Sequence, residues 1–240
     1  MRKAEGKMKT VFITGADRGL GFALCEEFLK KDFFVLAGQY MEEWPWLSRL
    51  KEAWPGRLEL LSLDIGSDES IARAFEAAGS RTAVIDLLIH NAGVAWQEQD
   101  MGSEADLEKN LRMFNINSLG PLCLTRRFLP LMEEGMRKIC FVSSEAGSIG
   151  VAHRKDMTGY CMSKTALNMA GRILHNDLGK RGYGIYLYHP GWMRTYMEGA
   201  EPMKGELEPS QSAEAAFSYF TGEKPSCLQV VDVYGRAWCF

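Results

Sequence analysis

The chain has 240 residues, 46% hydrophobic and 25% charged, with a net charge of −3. So slight an acidic balance gives no electrostatic hold on nucleic acid or an anionic membrane, and no apolar run approaches the ~18 residues of a membrane-spanning helix. The six cysteines, at 25, 123, 140, 161, 227 and 239, are scattered without CxxC or Cys/His spacing, which points to reduced thiols in a cytoplasmic protein and to no metal site. Arg2, Lys3, Lys7 and Lys9 lead into a strand and not an apolar stretch, so no secretory signal is expected.

Apolar periodicity then sets out the elements in order. Thr10–Thr14 is a β-rich run, and helical spacing follows from Gly19 to Lys31 with Leu20, Leu24 and Phe28 on one face. Phe33–Ala37 and Leu58–Leu63 are the next strands, Ser67–Ala78 a helix capped by Ser67 or Asp68, and Ala83–Ile89 a fourth strand. A long helical zone covers Glu104–Glu134, punctuated by Pro121 and Pro130. Lys138–Val142, the helix Thr158–Lys180, Ile185–His189, the helix Ser210–Thr221 and Leu228–Val233 complete the chain. Strands of unbroken Val, Ile and Leu are buried on both faces. Their alternation with helices implies right-handed crossovers and a single α/β domain over 1–240: a doubly wound parallel sheet of about seven strands with helices on both faces.

Several motifs stand at strand ends, where open parallel sheets bind ligands. Thr14-Gly15-Ala16-Asp17-Arg18-Gly19-Leu20-Gly21 joins the first strand to the first helix. Its glycines permit a tight turn and close approach of a pyrophosphate to free N–H groups at the helix start. Asp64, before Ile65 at the third strand's end, can accept a hydrogen bond from an adenine amino group or cap the next turn. In His90-Asn91-Ala92-Gly93 the small residues leave room for a flat ligand, the Asn91 amide can tie strand ends together, and His90 satisfies its nitrogens locally. Asn117 sits mid-helix, where asparagine is mildly unfavourable; it either turns a polar group out of the helix to hold a water or is a plain buried amide. Ser144 closes the fifth strand, and His189-Pro190-Gly191-Trp192-Met193-Arg194-Thr195 turns sharply after the sixth.

Tyr160 and Lys164 are four residues apart, which stacks both side chains on one helix face. A cation beside a phenol favours the phenolate and is expected to pull its pKa below about 10. Such a tyrosine can give a proton to a developing alkoxide or take one from an alcohol.

These motifs, in this order, resemble the classical short-chain dehydrogenase/reductase family over nearly the whole chain, through TGADRGLG, Asp64, HNAG, Asn117, Ser144, YCMSK and HPGWMRT. GPLCLTRRFLPLM after Asn117, the HPGWMRT turn and the ending VVDVYGRAW are similar to its C-factor/sniffer-type carbonyl reductase branch. Tyr196 departs from that branch, in which an aspartate commonly follows Thr195. The resemblance implies a Rossmann-like fold and NAD(P)(H)-dependent interconversion of a carbonyl and an alcohol. In it Tyr160 is the general acid/base, Lys164 lowers its pKa and binds the nicotinamide ribose, Ser144 holds the substrate carbonyl, and Asn117 anchors a water leading to Lys164. It further implies cofactor contacts at Gly15, Asp17, Arg18, Gly19, Leu20, Gly21, Gln39, Asp64, Ile65, Asn91, Ala92, Gly93, Pro190, Gly191, Met193 and Thr195. It places Trp96, Trp192, Tyr196 and Met197 beside the substrate, with His153 or Met157 from the preceding loop and with 191–209 as a loop or lid. Paired subunits through the long helices, as homodimer or homotetramer, are implied as well.

The second strand ends in Leu36-Ala37-Gly38-Gln39 without the acid that NAD-users place on the ribose 2′-hydroxyl, and Arg18 stands ready for a 2′-phosphate. NADP(H) is therefore expected, with NAD(H) as the second candidate. Two rival readings are a non-catalytic NADP(H)-binding redox sensor or regulator, which the intact set Asn117, Ser144, Tyr160 and Lys164 argues against, and an epimerase or dehydratase. The latter needs a larger C-terminal substrate domain than the roughly 45 residues after Thr195.

Overall fold

Apolar residues at alternate strand positions feed two separate cores, one on each face of a central sheet. The computed structural model describes residues 8–96, 106–195 and 204–240. β1 (Thr10–Thr14), β2 (Phe34–Gln39), β3 (Leu58–Ser62), β4 (Leu87–His90), β5 (Lys138–Val142), β6 (Gly184–His189) and β7 (Val230–Asp232) run parallel. A short β8 (Ala237–Trp238) pairs antiparallel with β7, giving the order β3-β2-β1-β4-β5-β6-β7-β8. Val11 and Ile13 of β1 enter one core with α1 (Gly19–Lys30), α2 (Trp46–Ala53) and α7 (Pro209–Thr221). Phe12, between them, enters the other with α3 (Asp68–Arg81), α5 (Gly120–Phe128) and α6 (Thr158–Leu178). The largest fully buried side chains of these cores include Phe28, Phe128 and Tyr186; burying one such ring stabilises by roughly 2–3 kcal/mol.

The long helical zone is not one helix. α4 (Leu107–Phe114) runs into a π-helical turn over Asn115–Leu119, α5 follows, and a 3₁₀ turn, Leu129–Met132, ends it. Pro121 is the second residue of α5, directly after the π-helical turn, and Pro130 lies in the 3₁₀ turn. Ser67 caps α3, its Oγ accepting from Ser70 N at 3.2 Å.

Three details differ from the sequence expectation. α2 has no counterpart in it, because only Leu47 and Leu50 of its eight residues are buried, too few for a period. β4 begins at Leu87, not Ala83, because Ile85 N donates to Leu131 O (2.7 Å) instead of joining the ladder. β8 is an eighth strand. It is held by Asp232, which accepts from the N–H groups of Tyr234 (2.9 Å), Arg236 (2.8 Å) and the Trp238 indole (3.1 Å).

Candidate active site

β1 pairs with β2 on one side and β4 on the other, and the chain's crossovers diverge there. A cleft of about 260 Å³ opens at the carboxyl ends of these strands, the place where sheets of this order bind ligands. Its floor is the glycine loop. Gly15 has φ +61°, and a Cβ there would lie 2.7 Å from Ala92 Cα, so only glycine fits. Arg18 is extended and precedes Gly19, the first residue of α1, so the helix start faces the cleft. Leu20 lines the cleft, whereas Gly21 lies behind it, packed on the carbonyl of Gly15. Asn91 stitches the loop to β4, its Nδ2 donating to Thr14 O (3.0 Å) and Gly15 O (2.9 Å), while Thr14 Oγ1 accepts from the N–H groups of Asn91 and Ala92.

At one end of the cleft the Arg18 guanidinium lies 5.1 Å over the Trp44 ring. Asp17 lines the cleft and also ties two loops together. Its Oδ1 accepts from Tyr40 N (3.0 Å) and Met41 N (2.8 Å), which clamps the β2–α2 loop against the glycine loop. Burial raises its pKa against these bonds. Gln39 is buried and turned to Met41 O at 3.4 Å, so it does not reach the cleft. Asp64 and Ile65 line the cleft. Asp64 also caps the following turn, accepting from Gly66 N at 2.9 Å, the second of its two expected roles.

Asn117 sits in the π-helical turn, not a regular helix. Its amide pairs with the backbone of Val94, accepting from N (2.9 Å) and donating to O (2.8 Å), and it donates to Ser163 Oγ at 3.0 Å. π-helical turns inside helices are frequent at functional sites. Ala92, Gly93 and Thr195 complete the walls. A Cβ on Gly93 would stand 3.3 Å from Asn117 Oδ1 and 3.6 Å from Lys164 Nζ, so this glycine keeps the cleft open to the lysine.

Lys164 and Tyr160 lie behind the Gly93 wall of the cleft, with Ser144 at the end of β5. Lys164 is buried at 3% exposure, and its Nζ donates to Val142 O at 2.9 Å. Burial lowers its pKa to about 8. Its ammonium is 5.8 Å from the centre of the Tyr160 ring. Burial pushes Tyr160 up to about 12, and the hydrogen bond with Ser144 only partly offsets it. That direction is the reverse of the one expected from the spacing: Lys164 is turned toward a carbonyl, and desolvation of the phenolate outweighs it. His90 is no base. Its Nε2 is 2.7 Å from Thr125 Oγ1, its ring stacks on Phe141 at 4.7 Å, and burial lowers its pKa to about 3.

The remaining residues divide. Pro190 is buried, and Gly191 turns the backbone with φ +78°. Met193 pairs with Leu207 and packs against the first core, so it does not line the cleft. Trp192 is 57% exposed. Trp96 is half-buried, packs with Ala95, Met113, Ala146 and Tyr160, and carries the Arg112 guanidinium 5.8 Å from its ring. His153 lines a separate depression with Glu145 and Cys161, and Met157 packs against the Tyr160 cluster. Tyr196 and Met197 lie outside the described residues, as do the other residues of 196–203; on either side of them Glu206 N donates to Trp192 O at 2.9 Å.

Sequence reasoning missed Tyr40, Met41, Val94, Arg112 and Ile116 in the cleft, and Glu145 beside Ser144. Position directly after β2, or directly before Asn117, would have found Tyr40 and Ile116. Nothing in the motifs points to Arg112 or Glu145. The donor set suits a dinucleotide: a helix start for a pyrophosphate, a stacked guanidinium at one end and a buried ammonium at the other.

The family model for short chain dehydrogenases matches residues 9–204. A 1-hydroxy-2-glutathionyl-2-methyl-3-butene dehydrogenase of a Rhodococcus species is 31% identical over 188 residues, 78% of this chain and 79% of that one. The C-signal protein of Myxococcus xanthus is 40% identical over 130 residues, 54% of this chain and 77% of its own length. Among solved structures, a short-chain dehydrogenase/reductase of Burkholderia multivorans with bound NADP is 28% identical, with a TM-score of 0.85 over 97% of this chain and 100% of that one.

Proposed function

The chain belongs to the short-chain dehydrogenase family, and from that membership we propose that it is an NADP(H)-dependent reductase of aldehydes or ketones, with Tyr160 as proton donor. The observation that carries the reading is a glycine-loop cleft whose wall residue Gly93 lies against Lys164, with the Tyr160 ring 5.8 Å from that ammonium. Bound in the cleft, NADPH supplies the hydride that reduces the carbonyl carbon. The residues do the rest. The start of α1 and the loop N–H groups hold the pyrophosphate, and Arg18, stacked on Trp44, takes the 2′-phosphate. Lys164 holds the nicotinamide ribose, and Asn117 fixes the Val94 wall of the cleft. A phenol pushed up to about 12 keeps its proton at neutral pH, which is the form that protonates an alkoxide.

The NADP bound to the Burkholderia relative and the alcohol chemistry named for the Rhodococcus relative support the same class. We assign the chain to the reducing cytoplasm, in keeping with its unpaired cysteines; no helix among the described residues is long and apolar enough to cross a membrane. We further propose a homodimer or homotetramer. Leu111 on α4 and Met169 and Ile173 on α6 are each more than half exposed on neighbouring helices, an apolar surface that a second copy would cover. Sedimentation at a single monomer mass would refute the assembly.

The deciding experiment is NADPH oxidation over a panel of aldehydes, ketones and quinones, acetophenone and benzaldehyde included. Turnover with NADPH and little with NADH is expected. Cofactor binding without turnover of any carbonyl would sink the reductase reading in favour of a regulator.

A further inference from the structure

Met157 stands directly before α6 with φ +55° and ψ +39°, in the left-handed region that a residue bearing a Cβ enters at a cost of roughly 1–2 kcal/mol. Such a residue stays there only where its surroundings hold it. Its side chain is half-buried against the cluster of Ala146 and Tyr160, and its carbonyl accepts from Cys161 N at 2.9 Å, the opening bond of α6. Its sulfur accepts from Arg154 Nη1 at 3.6 Å. The same guanidinium binds Glu145 Oε1 through Nε (3.2 Å) and Nη2. Glu145 Oε2 in turn accepts from Ser144 Oγ at 2.6 Å. One side chain thus joins the residue after Ser144 to the residue that starts α6. The rest of its loop is loosely attached. The side chains of His153, Lys155 and Asp156 are exposed and make no hydrogen bond or ion pair among the described residues. With Glu145 and Cys161 they line a depression of about 370 Å³. Where packing leaves such a gap, the bonds of Arg154 fasten the loop.

We propose that Arg154 is a positioning residue of this site: by bridging Glu145 and Met157 it keeps Met157 left-handed and sets the start of α6, and with it Tyr160, against the Ser144 segment. The inference rests on the reductase reading and deepens it. Tyr160 is the third residue of α6, so the angle at which the chain enters the helix decides where the phenol points. Ala146, in the turn after Ser144, packs in the same cluster as Tyr160, and the guanidinium fixes the offset between the two segments. Displacing a reacting group by about 1 Å costs on the order of 10²-fold in rate. Arg154 does not line the cofactor cleft, so cofactor affinity does not depend on it.

The test begins with Arg154→Met, which keeps the reach of a side chain that is 35% exposed and removes its donors. In NADPH-dependent reduction of benzaldehyde, kcat should fall roughly tenfold to a hundredfold while the Kd for NADPH stays within about twofold. Met157→Gly removes both the sulfur and the strain, since glycine enters the left-handed region freely. In a Met157→Gly background, Arg154→Met should therefore cost no more than about threefold in kcat. Amide exchange of the segment 152–161, read by mass spectrometry, should quicken about tenfold in Arg154→Met and stay unchanged in β1. An unchanged kcat, unchanged exchange of that segment, or equal losses with and without Met157→Gly would overturn the role of Arg154. Equal quickening of β1 would mark Arg154 as a stabiliser of the whole fold and overturn it likewise. The reductase reading falls on a different result, the absence of any carbonyl turnover in the natural protein, which amide exchange does not measure.

Discussion

Two side chains carry the proposed chemistry and cofactor preference. Tyr160→Phe removes the only proton of that phenol and should abolish NADPH-dependent carbonyl reduction, while NADPH affinity, read by fluorescence titration, stays within about twofold, because acid–base assistance of this kind supplies ~10²–10⁴ in rate and not ground-state binding. In the proposed function Arg18 meets a 2′-phosphate through a charge-assisted bond worth about 1.5–3 kcal/mol. Arg18→Ala should therefore raise the Kd for NADPH by roughly tenfold to a hundredfold and leave that for NADH unchanged; equal losses for both cofactors would show that Arg18 acts only on the loop. The spacing of Tyr160 and Lys164 revealed the pair, yet it misjudged their electrostatics. Helical offset says that two side chains share a face, whereas burial of the phenol and the carbonyl of Val142 determine which charge each prefers.

At the scale of elements, the strand-end motifs were legible because a parallel sheet exposes only its carboxyl ends to a ligand. Asn117 is the instructive case. The sequence marked it as out of place in a helix; the structure explains it by a π-helical turn whose amide substitutes for a strand partner of Val94. Asn117→Ala orphans both backbone groups of Val94, and should cost about 2–3 kcal/mol in urea unfolding. A loss under ~0.5 kcal/mol would mean that water replaces the amide at no cost. Asp17 and Gln39 illustrate the limit. Their positions in the glycine loop and at the end of β2 suggested ligands; Gln39 is turned to Met41 O outside the cleft lining, and Asp17, which lines the cleft, commits Oδ1 to the N–H groups of Tyr40 and Met41. Which backbone passes within reach of a carboxylate is a matter of packing that a linear motif does not carry.

Across the whole molecule, the two cores enclose titratable groups whose neutral forms the fold requires. His90 is the clearest, fully buried between Thr125 and Phe141, with its pKa lowered to about 3. The unfolded chain protonates this ring near pH 6.5, so below that pH the unfolded state binds more protons than the native one. Stability is complete above pH 6.5 and falls progressively as the pH drops toward about 3. The urea midpoint should decline over that window, and less steeply in His90→Asn; parallel declines would assign the acid loss to other groups.

The sequence by itself determined the order of strands and helices, the parallel doubly wound sheet and the places along the chain where chemistry gathers. Those properties follow from local periodicity and from residue types that only a tight turn or a buried strand tolerates. Tertiary structure alone decided the rest: that Lys164 faces Val142, that Arg18 stacks on Trp44, and that Glu145 receives the proton of Ser144. Side-chain direction, desolvation and hydrogen-bond partners depend on which distant segments meet. For the Tyr160–Lys164 pair the sequence supplied the adjacency, and the fold set the charges.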